Sequence, residues 1–457
     1  MIEIKETLTC NYEVDVLVVG GGPAGTAAAF AAARLGKKTM IVEQFNCLGG
    51  VATAGGHGHM CLYSSWRSNE RVVGGIPFEI VERTTKAGFG VNDNSYADFE
   101  VEGMKLVLEQ MAAEDDVQLL YHTFFADLVV DSGRITHAIV QNKNGRQVIA
   151  VKQVVDATGD GDVAWKAGCE FDIGDEETGL CQPVSLMFTI GGVDYDRVKA
   201  FRAGYADAFD DHERPGQMRK LWKKAQDAGD MRPFQSIIMG WWWTPTRPDQ
   251  VGINFTHVTD IDSRKAEDLT AATIEARKQA YETIDVYRKY VPGMENCYMV
   301  STPNTVGIRE SRRIHTDYVL TKEDVLSERE FDDAIGYGSF FIDIHNTRGI
   351  GLDAKTQYPD AGFKYQIPWR ICLPKHSVNL QVAGRCAGAD HEALGSLRVM
   401  PQCAVMGQAA GAAASLALEN GCELREVAVS DLQAALRNEK AIIDTADIAT
   451  VNAGVTV

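Results

Sequence analysis

This chain lacks the features that would tie it to nucleic acid, to a membrane or to a disulfide framework. Its 457 residues carry a formal net charge of −18 without any basic block, which argues against binding nucleic acid or an anionic membrane surface. Its 10 cysteines include no C-x-x-C pair, which excludes a redox dithiol and the simplest zinc or iron–sulfur ligand patterns. No apolar run reaches membrane length, and the acidic N-terminal residues do not predict a secretory signal. We therefore expect reduced thiols and a cytoplasmic location.

A glycine-rich turn between a strand-like run and an alanine-rich helix is the most informative feature that is present. Residues 14–19 are valine or leucine apart from one aspartate, as expected of a buried parallel strand. The spacing G-x-G-x-x-G follows in a turn formed by Gly20, Gly22, Pro23, Ala24 and Gly25. Such glycines allow a tight turn, a close approach of the backbone to a pyrophosphate, and close packing of the next helix. A second strand-like run ends at Glu43, where an acid would bind a ribose hydroxyl.

The order of strand, glycines, helix, strand and acid predicts a bound dinucleotide rather than a chance glycine turn in an ordinary α/β protein. We expect the helix to run from Ala24 to about Leu35, with its free N–H groups facing the phosphates. Gly49 and Gly50, in the loop after Glu43, could again pass close to phosphate. This arrangement resembles the FAD-binding fingerprint of the glutathione reductase-like flavoproteins more than that of an NAD dehydrogenase.

Two later motifs extend the resemblance to most of the chain. One is Asp156-Ala-Thr-Gly-Asp-Gly161, which follows three strand-like runs joined by hairpin turns. The other runs from Ala383-Gly-Arg385 through His391-Glu-Ala-Leu-Gly-Ser-Leu-Arg398 to Gly411. With the N-terminal fingerprint, they make the chain similar to the FAD-dependent oxidoreductase family related to the fumarate reductase and succinate dehydrogenase flavoproteins. Gly307-Ile-Arg-Glu-Ser-Arg-Arg-Ile314 belongs to the same resemblance.

The resemblance implies an α/β fold with a glutathione reductase-type FAD-binding Rossmann domain, made of a parallel sheet plus a β-meander, and an inserted α+β substrate domain. The composition of residues 180–327 agrees with an insertion, because charged helical stretches, including 194–228, flank strand-like pieces there. The expected divisions are 1–179 and 335–425 for the FAD-binding domain, 180–334 for the substrate domain and 426–457 for a C-terminal helical tail.

The resemblance also implies a set of contacts to FAD. The turn after the first strand would bind the pyrophosphate, Glu43 the adenosine ribose, and the loop from Gly384 to Arg398 the isoalloxazine and ribityl chain. Helix N–H groups near 401–404 could stabilise negative charge on the flavin, although a buried packing helix would have the same composition. The expected contacts are Gly20, Gly22, Pro23, Ala24, Gly25, Glu43, Gly49, Gly50, Gly159, Asp160, Gly384, Arg385, Arg398 and Gln402.

A cluster of charged residues at 309–313 is the best candidate for substrate binding. Three arginines and one glutamate within five residues favour a site for a carboxylate or carbonyl oxygen, because the guanidinium group is a planar fork of donors. The alternative is a surface ion-pair ladder. We expect Arg309 and Arg312, or Arg313, to hold the substrate, with a histidine to move the proton.

Two histidines are candidates for that proton transfer. Similarity to the fumarate reductase-like proteins implies that His391 faces the substrate, the alternative being a capped loop histidine. His345 shares one strand face with Asp343, so the two could form an acid–base pair or an orienting hydrogen bond. His57 and His59 could attach FAD covalently or pack beside it. The tryptophans at 241–243 are expected mainly in the core.

No second G-x-G-x-x-G follows a strand in the interior, so a separate partner or small acceptor is expected to exchange electrons with the flavin. We predict an FAD-dependent dehydrogenase or reductase that transfers hydride between flavin N5 and a small polar molecule, at a CH–OH or CH–CH bond. A flavin-dependent hydroxylase is the enzymatic alternative, and an electron-relay flavoprotein subunit of a larger complex is the alternative of another class. No metal, membrane or nucleic-acid partner is predicted, and a homo-oligomer is left open.

Overall fold

The computed structural model describes residues 6–203, 217–235 and 240–453. The predicted helical stretch 194–228 and tail 426–457 therefore lie partly outside the described residues. The strands are β1 (Cys10–Val19), β2 (Thr39–Val42), β3 (His59–Cys61), β4 (Gly90–Asn92), β5 (Tyr96–Phe99), β6 (Gln118–Leu120), β7 (Phe124–Asp131), β8 (Arg134–Asn142), β9 (Gly145–Asp156), β10 (Phe171–Ile173), β11 (Phe188–Gly191), β12 (Gly240–Thr244), β13 (Arg247–Asn254), β14 (Tyr298–Ser301), β15 (Arg312–Ile314), β16 (Ala334–Gly338), β17 (Tyr365–Pro368) and β18 (Leu380–Val382).

The helices occur between and after these strands, and the two longest, α7 and α10, lie in the second half of the chain. They are α1 (Pro23–Arg34), α2 (Gly75–Lys86), α3 (Val101–Glu114), α4 (Asp162–Lys166), α5 (Tyr195–Ala203), α6 (Gln217–Asp227), α7 (Ala266–Tyr290), α8 (Lys322–Leu326), α9 (His391–Leu397), α10 (Met400–Asn420), α11 (Val429–Asn438) and α12 (Thr445–Asn452). Within the described residues, no helix combines the length and the apolar character needed to cross a membrane.

A mixed sheet forms the centre of the fold. Strands β6, β2, β1 and β9 lie side by side in parallel, and β18 adds a further parallel strand to the end of β9. The first half of β9 instead pairs antiparallel with β8, which pairs antiparallel with β7. One long strand therefore joins the parallel sheet to a three-stranded meander. This confirms an α/β fold with a parallel sheet, and the continuous apolar run of β1 reflects burial on both faces.

Helix α1 packs against α10 so closely that side chains between them must be small. A Cβ atom on Gly407 would overlap the carbonyl oxygen of Ala24, and one on Gly411 would overlap that of Ala28. Both helices are buried along most of their length. The alanine and glycine content read from the sequence thus serves close packing, and it brings the middle of α10, at Gly407 and Gly411, against the first two turns of α1.

A second, antiparallel sheet lies in the region between α4 and α8. Its strand order is β12-β13-β11-β14, and it has a hydrophobic core of its own that includes Trp222, Phe255 and Tyr287. Trp241 and Trp243 pack against this core, as predicted. A separate core agrees with an inserted region, while the domain boundaries themselves stay a prediction.

Candidate active site

One large cavity opens at the carboxyl ends of β1, β2 and β9. Its volume is about 1380 Å³, and its lining extends from Gly20 and Glu43 at one end to Arg309 and Asp343 at the other. The first is called here the nucleotide end and the second the distal end. Ordinary ligand pockets hold roughly 300–1,000 Å³. The cavity therefore has room for a dinucleotide together with a second molecule, at the sheet edge where α/β proteins bind ligands.

The start of α1 faces the nucleotide end of the cavity. Its N-cap, Gly22, makes no side-chain cap hydrogen bond, and a Cβ atom there would meet nothing within 4 Å. Gly20 has φ +96°, and a Cβ atom there would stand 2.5 Å from the carbonyl oxygen of Ala157. The first turn thus presents unpaired N–H groups to open space, which is the arrangement that binds phosphate.

Glu43 stands beside this turn at the end of β2. Its Oε2 accepts from the backbone N–H of Gly21 at 2.6 Å, and its Oε1 accepts from that of Phe45 at 2.8 Å. Burial raises the pKa of Glu43, and these backbone donors oppose the shift. Each oxygen keeps a second lone pair, so the carboxyl group can also accept from ribose hydroxyls.

The other side of the nucleotide end is formed by two loops that an ion pair joins. Arg385 Nη1 donates to Asp160 Oδ1 at 2.8 Å, and the guanidinium lies over Gly159. Of the expected FAD contacts, the cavity lining includes Gly20, Gly22, Pro23, Ala24, Glu43, Gly50, Gly159, Asp160, Gly384, Arg385 and Arg398. Gly25, Gly49 and Gln402 are outside that lining. Gln402 is fully buried, and its amide atoms have no hydrogen-bond partner among the described residues.

Arg309 is a cationic group of the distal end that keeps unused donors, as Arg398 does. It is 9% exposed, and its Nη1 donates to Pro183 O at 2.7 Å and to Ser185 Oγ at 2.9 Å. Among the described residues, its Nε and Nη2 have no hydrogen-bond acceptor. Burial and the nearby Arg398 lower the pKa of Arg309 to about 9, which leaves it cationic at neutral pH.

Asp343 joins Arg398 and His345 into one buried group. Arg398 Nη2 donates to Asp343 Oδ2 at 3.0 Å, and His345 Nε2 lies 3.4 Å from the same oxygen. Burial raises the pKa of Asp343, but His345, Arg398 and Arg309 outweigh it and hold that pKa well below its usual range. Burial and Arg309 lower the pKa of His345 to about 3. At neutral pH the group is therefore an anion with a neutral histidine and two cations.

The structure does not bring Arg312 or His391 to the cavity. Arg312 Nη1 donates to Asp160 O at 2.8 Å and to Asp162 Oδ1 at 2.9 Å, outside the lining. His391 Nδ1 lies 2.9 Å from Glu310 Oε1, and that carboxylate also pairs with Arg313. The expectation that Arg312 and His391 contact substrate is therefore not supported. The reason is that partners far along the chain fix these side chains: Arg312 donates to the loop after β9, and His391 lies against Glu310.

Sequence reasoning missed four aromatic residues that line the distal end. They are partly exposed, and we call them the aromatic wall: Trp66, Phe340, Phe341 and Tyr358. Phe341 is stacked on Tyr358 with centroids 4.5 Å apart, and it also contacts Trp66 at 5.2 Å. No motif marks these residues. The available signal was the alternation of Phe341, Asp343 and His345, which places all three on one side of an extended segment.

His57 and His59 both line the cavity, beside Trp242. Burial opposes a charge on His59, but its 2.5 Å hydrogen bond to Asp98 and its contact with Cys61 raise its pKa to about 10. Burial, His59 and Arg309 lower the pKa of His57 to about 3. A protonated imidazole has no free lone pair, so His59 is a poor nucleophile towards a flavin at neutral pH.

These geometries fit a dinucleotide-binding protein of α/β architecture. The FAD dependent oxidoreductase family matches residues 15–436, and the chain belongs to this family. It is an enzyme whose cofactor is FAD, as predicted. The nucleotide end fits this cofactor, because an uncapped helix start and a buried carboxylate face the same open space. Bonding of FAD to named atoms stays a prediction.

Curated relatives share a limited part of the chain. Identity is 28% over 184 residues with the thiamine thiazole synthase of Methanococcus aeolicus, covering 38% of this chain and 64% of that protein. Identity with the thiamine thiazole synthase of Aeropyrum pernix is 31% over 168 residues. That match covers 34% of this chain and 57% of that protein. The chain thus spans less than two thirds of the length of these relatives.

Solved structures with similar folds cover more of the chain at lower identity. A geranylgeranyl bacteriochlorophyll reductase-like protein of Thermoplasma acidophilum is 14% identical, covering 94% of this chain and 84% of that one, with a TM-score of 0.48. The p-nitrophenol 4-monooxygenase of Pseudomonas putida is 10% identical, and the match covers 97% of this chain and 93% of that one, with a TM-score of 0.44. Scores this low carry no functional argument.

We expect FAD to be bound without a covalent link. His59 is protonated and engaged by Asp98, and no motif singles out His57 as an anchor. Acid precipitation of the purified yellow protein should therefore release the flavin absorption into the supernatant. Flavin that stays in the pellet of the wild type but not of His57→Ala would contradict this expectation and identify the anchor.

Three histidines with lowered pKa values make the folded protein sensitive to mild acid. Burial lowers the pKa of His257 to about 4 and those of His57 and His345 to about 3, against an unfolded value of about 6.5. Between about pH 6.5 and pH 4 only the unfolded chain takes up these protons. The contribution of these histidines to the free energy of unfolding is therefore fully present above about pH 6.5 and falls as the pH drops towards about 4. Each histidine contributes a loss of about 1.4 kcal/mol per pH unit.

Urea unfolding of the apoprotein between neutral pH and about pH 5 measures the net slope, which the buried Asp156 partly offsets because burial raises its pKa to about 6 and the folded state takes up that proton first. His257→Gln should flatten it by about one proton. The raised pKa of His59 does not mask the effect, because its contribution changes only above about pH 6.5. An unchanged slope in His257→Gln would show that His257 is already protonated in the folded state.

Proposed function

We propose that the protein is a dehydrogenase or reductase for a small organic molecule that carries an anionic or carbonyl oxygen, with hydride transfer at flavin N5. Bound FAD supplies the hydride acceptor or donor. The observation that carries the proposal is the charge of the distal end, where Arg309 and Arg398 surround the single carboxylate of Asp343. One positive charge is left over for a substrate anion.

In this proposal Arg309 holds the substrate. Its Nη1 is fixed by Pro183 and Ser185, which leaves the other guanidinium donors for a substrate oxygen. A buried, fixed guanidinium binds a carboxylate with geometric specificity, since both groups are planar. Arg398 Nη2 donates to Asp343 O and Oδ2, which fixes the Asp343 carboxylate, while Nε and Nη1 of Arg398 have no acceptor among the described residues and can also donate to a substrate oxygen.

His345 is the group proposed to accept the substrate proton, with Asp343 stabilising the imidazolium that forms. The His345 ring is neutral, and the ionised Asp343 beside its Nε2 opposes the lowering of its pKa by burial and Arg309. Among the described residues, Nδ1 of that ring has no hydrogen-bond partner. The backbone N–H of His345 donates to Gln182 Oε1 at 3.1 Å, which holds the segment in place.

We further propose the finer architecture that the sequence predicts. The parallel sheet that continues into a meander supports a glutathione reductase-type FAD fold, and the separate antiparallel sheet supports a substrate domain over 180–334 between FAD-binding parts 1–179 and 335–425, with a tail over 426–457. Kinship with the fumarate reductase and succinate dehydrogenase flavoproteins rests on the sequence motifs. A cytoplasmic location, a separate electron acceptor and a homo-oligomer belong to the same proposal.

Thiazole synthesis is not proposed, because the relatives that bear that name match little more than a third of this chain. A hydroxylase would need its flavin reduced from outside and would react with oxygen. An electron relay would not need the buried arginines of the distal end.

Anaerobic mixing of the FAD-loaded protein with hydroxy acids, enoates and sugars tests the proposal. A dehydrogenase substrate should bleach the oxidised flavin spectrum without oxygen or an added reductant, and an enoate should restore the colour of prereduced protein. If reduced protein instead consumes oxygen faster when an organic acid is present, and no compound changes the flavin anaerobically, the enzyme is a hydroxylase.

A further inference from the structure

The aromatic wall and the cationic group belong to one continuous surface of the distal end. Phe341, Asp343 and His345 all line the cavity, whereas Ile342 and Ile344 between them are 1% exposed in the core. An isolated bridge between Ile342 and Gln357 keeps this segment extended and brings Tyr358 beside Phe341. Two residues of extended chain span about 7 Å, so the wall begins about that far from Asp343.

The rings of the aromatic wall are only partly buried, although they stack on one another. Phe340 contacts Phe341 with centroids 4.5 Å apart, and Trp66 contacts both. Each ring keeps some exposed area, and that area belongs to the cavity lining. Exposed aromatic surface gains about 25 cal/mol for each Å² covered by an apolar partner. The wall therefore favours a flat apolar group over water.

The partner of the wall is an aryl ring rather than a sugar. A sugar ring brings several hydroxyl groups, each of which needs a hydrogen-bond partner when it is buried. The ring faces of the wall offer no strong acceptors, and the one N–H among these rings, Trp66 Nε1, is buried and so is not open to a ligand. An aryl ring needs only offset or edge-on stacking, which the wall provides.

Resting on the proposed function, we propose that the substrate is an arylalkanoate: an aromatic ring, a short carbon chain and a carboxylate. The ring lies on the aromatic wall, the carboxylate binds Arg309, and the bond that is oxidised or reduced belongs to the chain between them. Asp343, which lies beside Arg398, is two residues or about 7 Å of extended chain from Phe341 of the wall, and the excess positive charge at Arg309 and Arg398 matches one carboxylate.

Titration of the FAD-loaded protein with carboxylates, followed by the change in visible flavin absorption and by protection against thermal unfolding, tests this proposal. The probes are acetate, benzoate, phenylacetate, 3-phenylpropionate and glucuronate. We expect phenylacetate or 3-phenylpropionate to bind about 10- to 100-fold more tightly than acetate. Phe341→Ala should remove this preference and leave the affinity for acetate unchanged, and Phe341→Leu, which keeps more of the volume, should remove most of it.

The matched control is Tyr281→Ala, since Tyr281 is a 54% exposed aromatic on α7 outside the cavity lining. It should keep the preference for aryl acids. Acetate that binds as tightly as every aryl acid would overturn the inference alone, as would tightest binding of glucuronate. Loss of FAD affinity in Phe341→Ala would show that the wall holds the flavin instead. No binding of any carboxylate would overturn the proposed function as well.

Discussion

Replacing Arg309 by methionine should lower kcat/KM by about a thousandfold while the protein keeps its full complement of FAD. Methionine retains an unbranched apolar stem but removes the charge and every donor. The loss of a buried charged partner from a hydrogen-bonded pair costs about 4 kcal/mol, which corresponds to that factor in rate. Arg309 is 9% exposed, so little water is present to replace the missing guanidinium.

Arg309→Lys separates charge from shape. Lysine keeps the positive charge but offers a point donor instead of a planar fork, and it cannot both donate to Pro183 and Ser185 and hold the substrate as arginine does. We expect a loss of about thirtyfold to a hundredfold in kcat/KM, mostly through KM. FAD content, measured by absorption after acid release, should match the wild type in both variants.

Arg312→Met is the matched control, since Arg312 belongs to the same sequence cluster but is outside the cavity lining. Its removal should loosen the loop at Asp160 and Asp162, and so weaken FAD binding or stability. Turnover per bound FAD should stay within a few-fold of the wild type. The reverse pattern, with Arg312→Met inactive at full FAD occupancy and Arg309→Met active, would show that the wrong arginine has been placed at the substrate.

That contrast shows where the sequence stops being informative. The four charged residues from 309 to 313 predict one anion site, yet their side chains serve three places: Arg309 the cavity, Glu310 and Arg313 a buried cluster with His391, and Arg312 the loop after β9. Composition records which charges are present. The direction of each side chain depends on partners far along the chain, such as Pro183 for Arg309 and Asp160 for Arg312, which composition does not record.

The nucleotide end was predictable because its determinants are local. Strand, turn, helix and acid follow one another within residues 14–43, and α1 begins and ends within one residue of the predicted bounds. The aromatic wall was not predictable in this way. Trp66 comes from a segment far from residues 340–358, and those residues are irregular, with isolated bridges instead of a periodic strand pattern.

The second large expected effect is a contrast between alanine substitutions at two glycines of the same motif: one should impair folding and the other FAD binding. Gly25→Ala should prevent folding of the N-terminal unit, because a Cβ atom there would overlap the carbonyl oxygen of Gly20, a backbone atom that cannot rotate away. Overpacking of this kind costs about 1–3 kcal/mol where neighbours can yield, and more where they are backbone. We expect loss of FAD and a urea midpoint that is strongly lowered or unmeasurable.

Gly22→Ala should do the opposite. Gly22 has φ −68°, which alanine adopts freely, and a Cβ atom there would meet nothing within 4 Å. The apoprotein should therefore unfold at the urea concentration of the wild type. The added methyl group would nevertheless stand in the open space at the start of α1, where the pyrophosphate is expected to pass. FAD affinity should fall at least about tenfold, since one misplaced contact of about 1.4 kcal/mol has that effect. Equal FAD affinity in Gly22→Ala and wild type would mean that the pyrophosphate does not approach this turn, whereas loss of folding in Gly22→Ala would mean that the turn itself is more tightly packed than the cavity indicates.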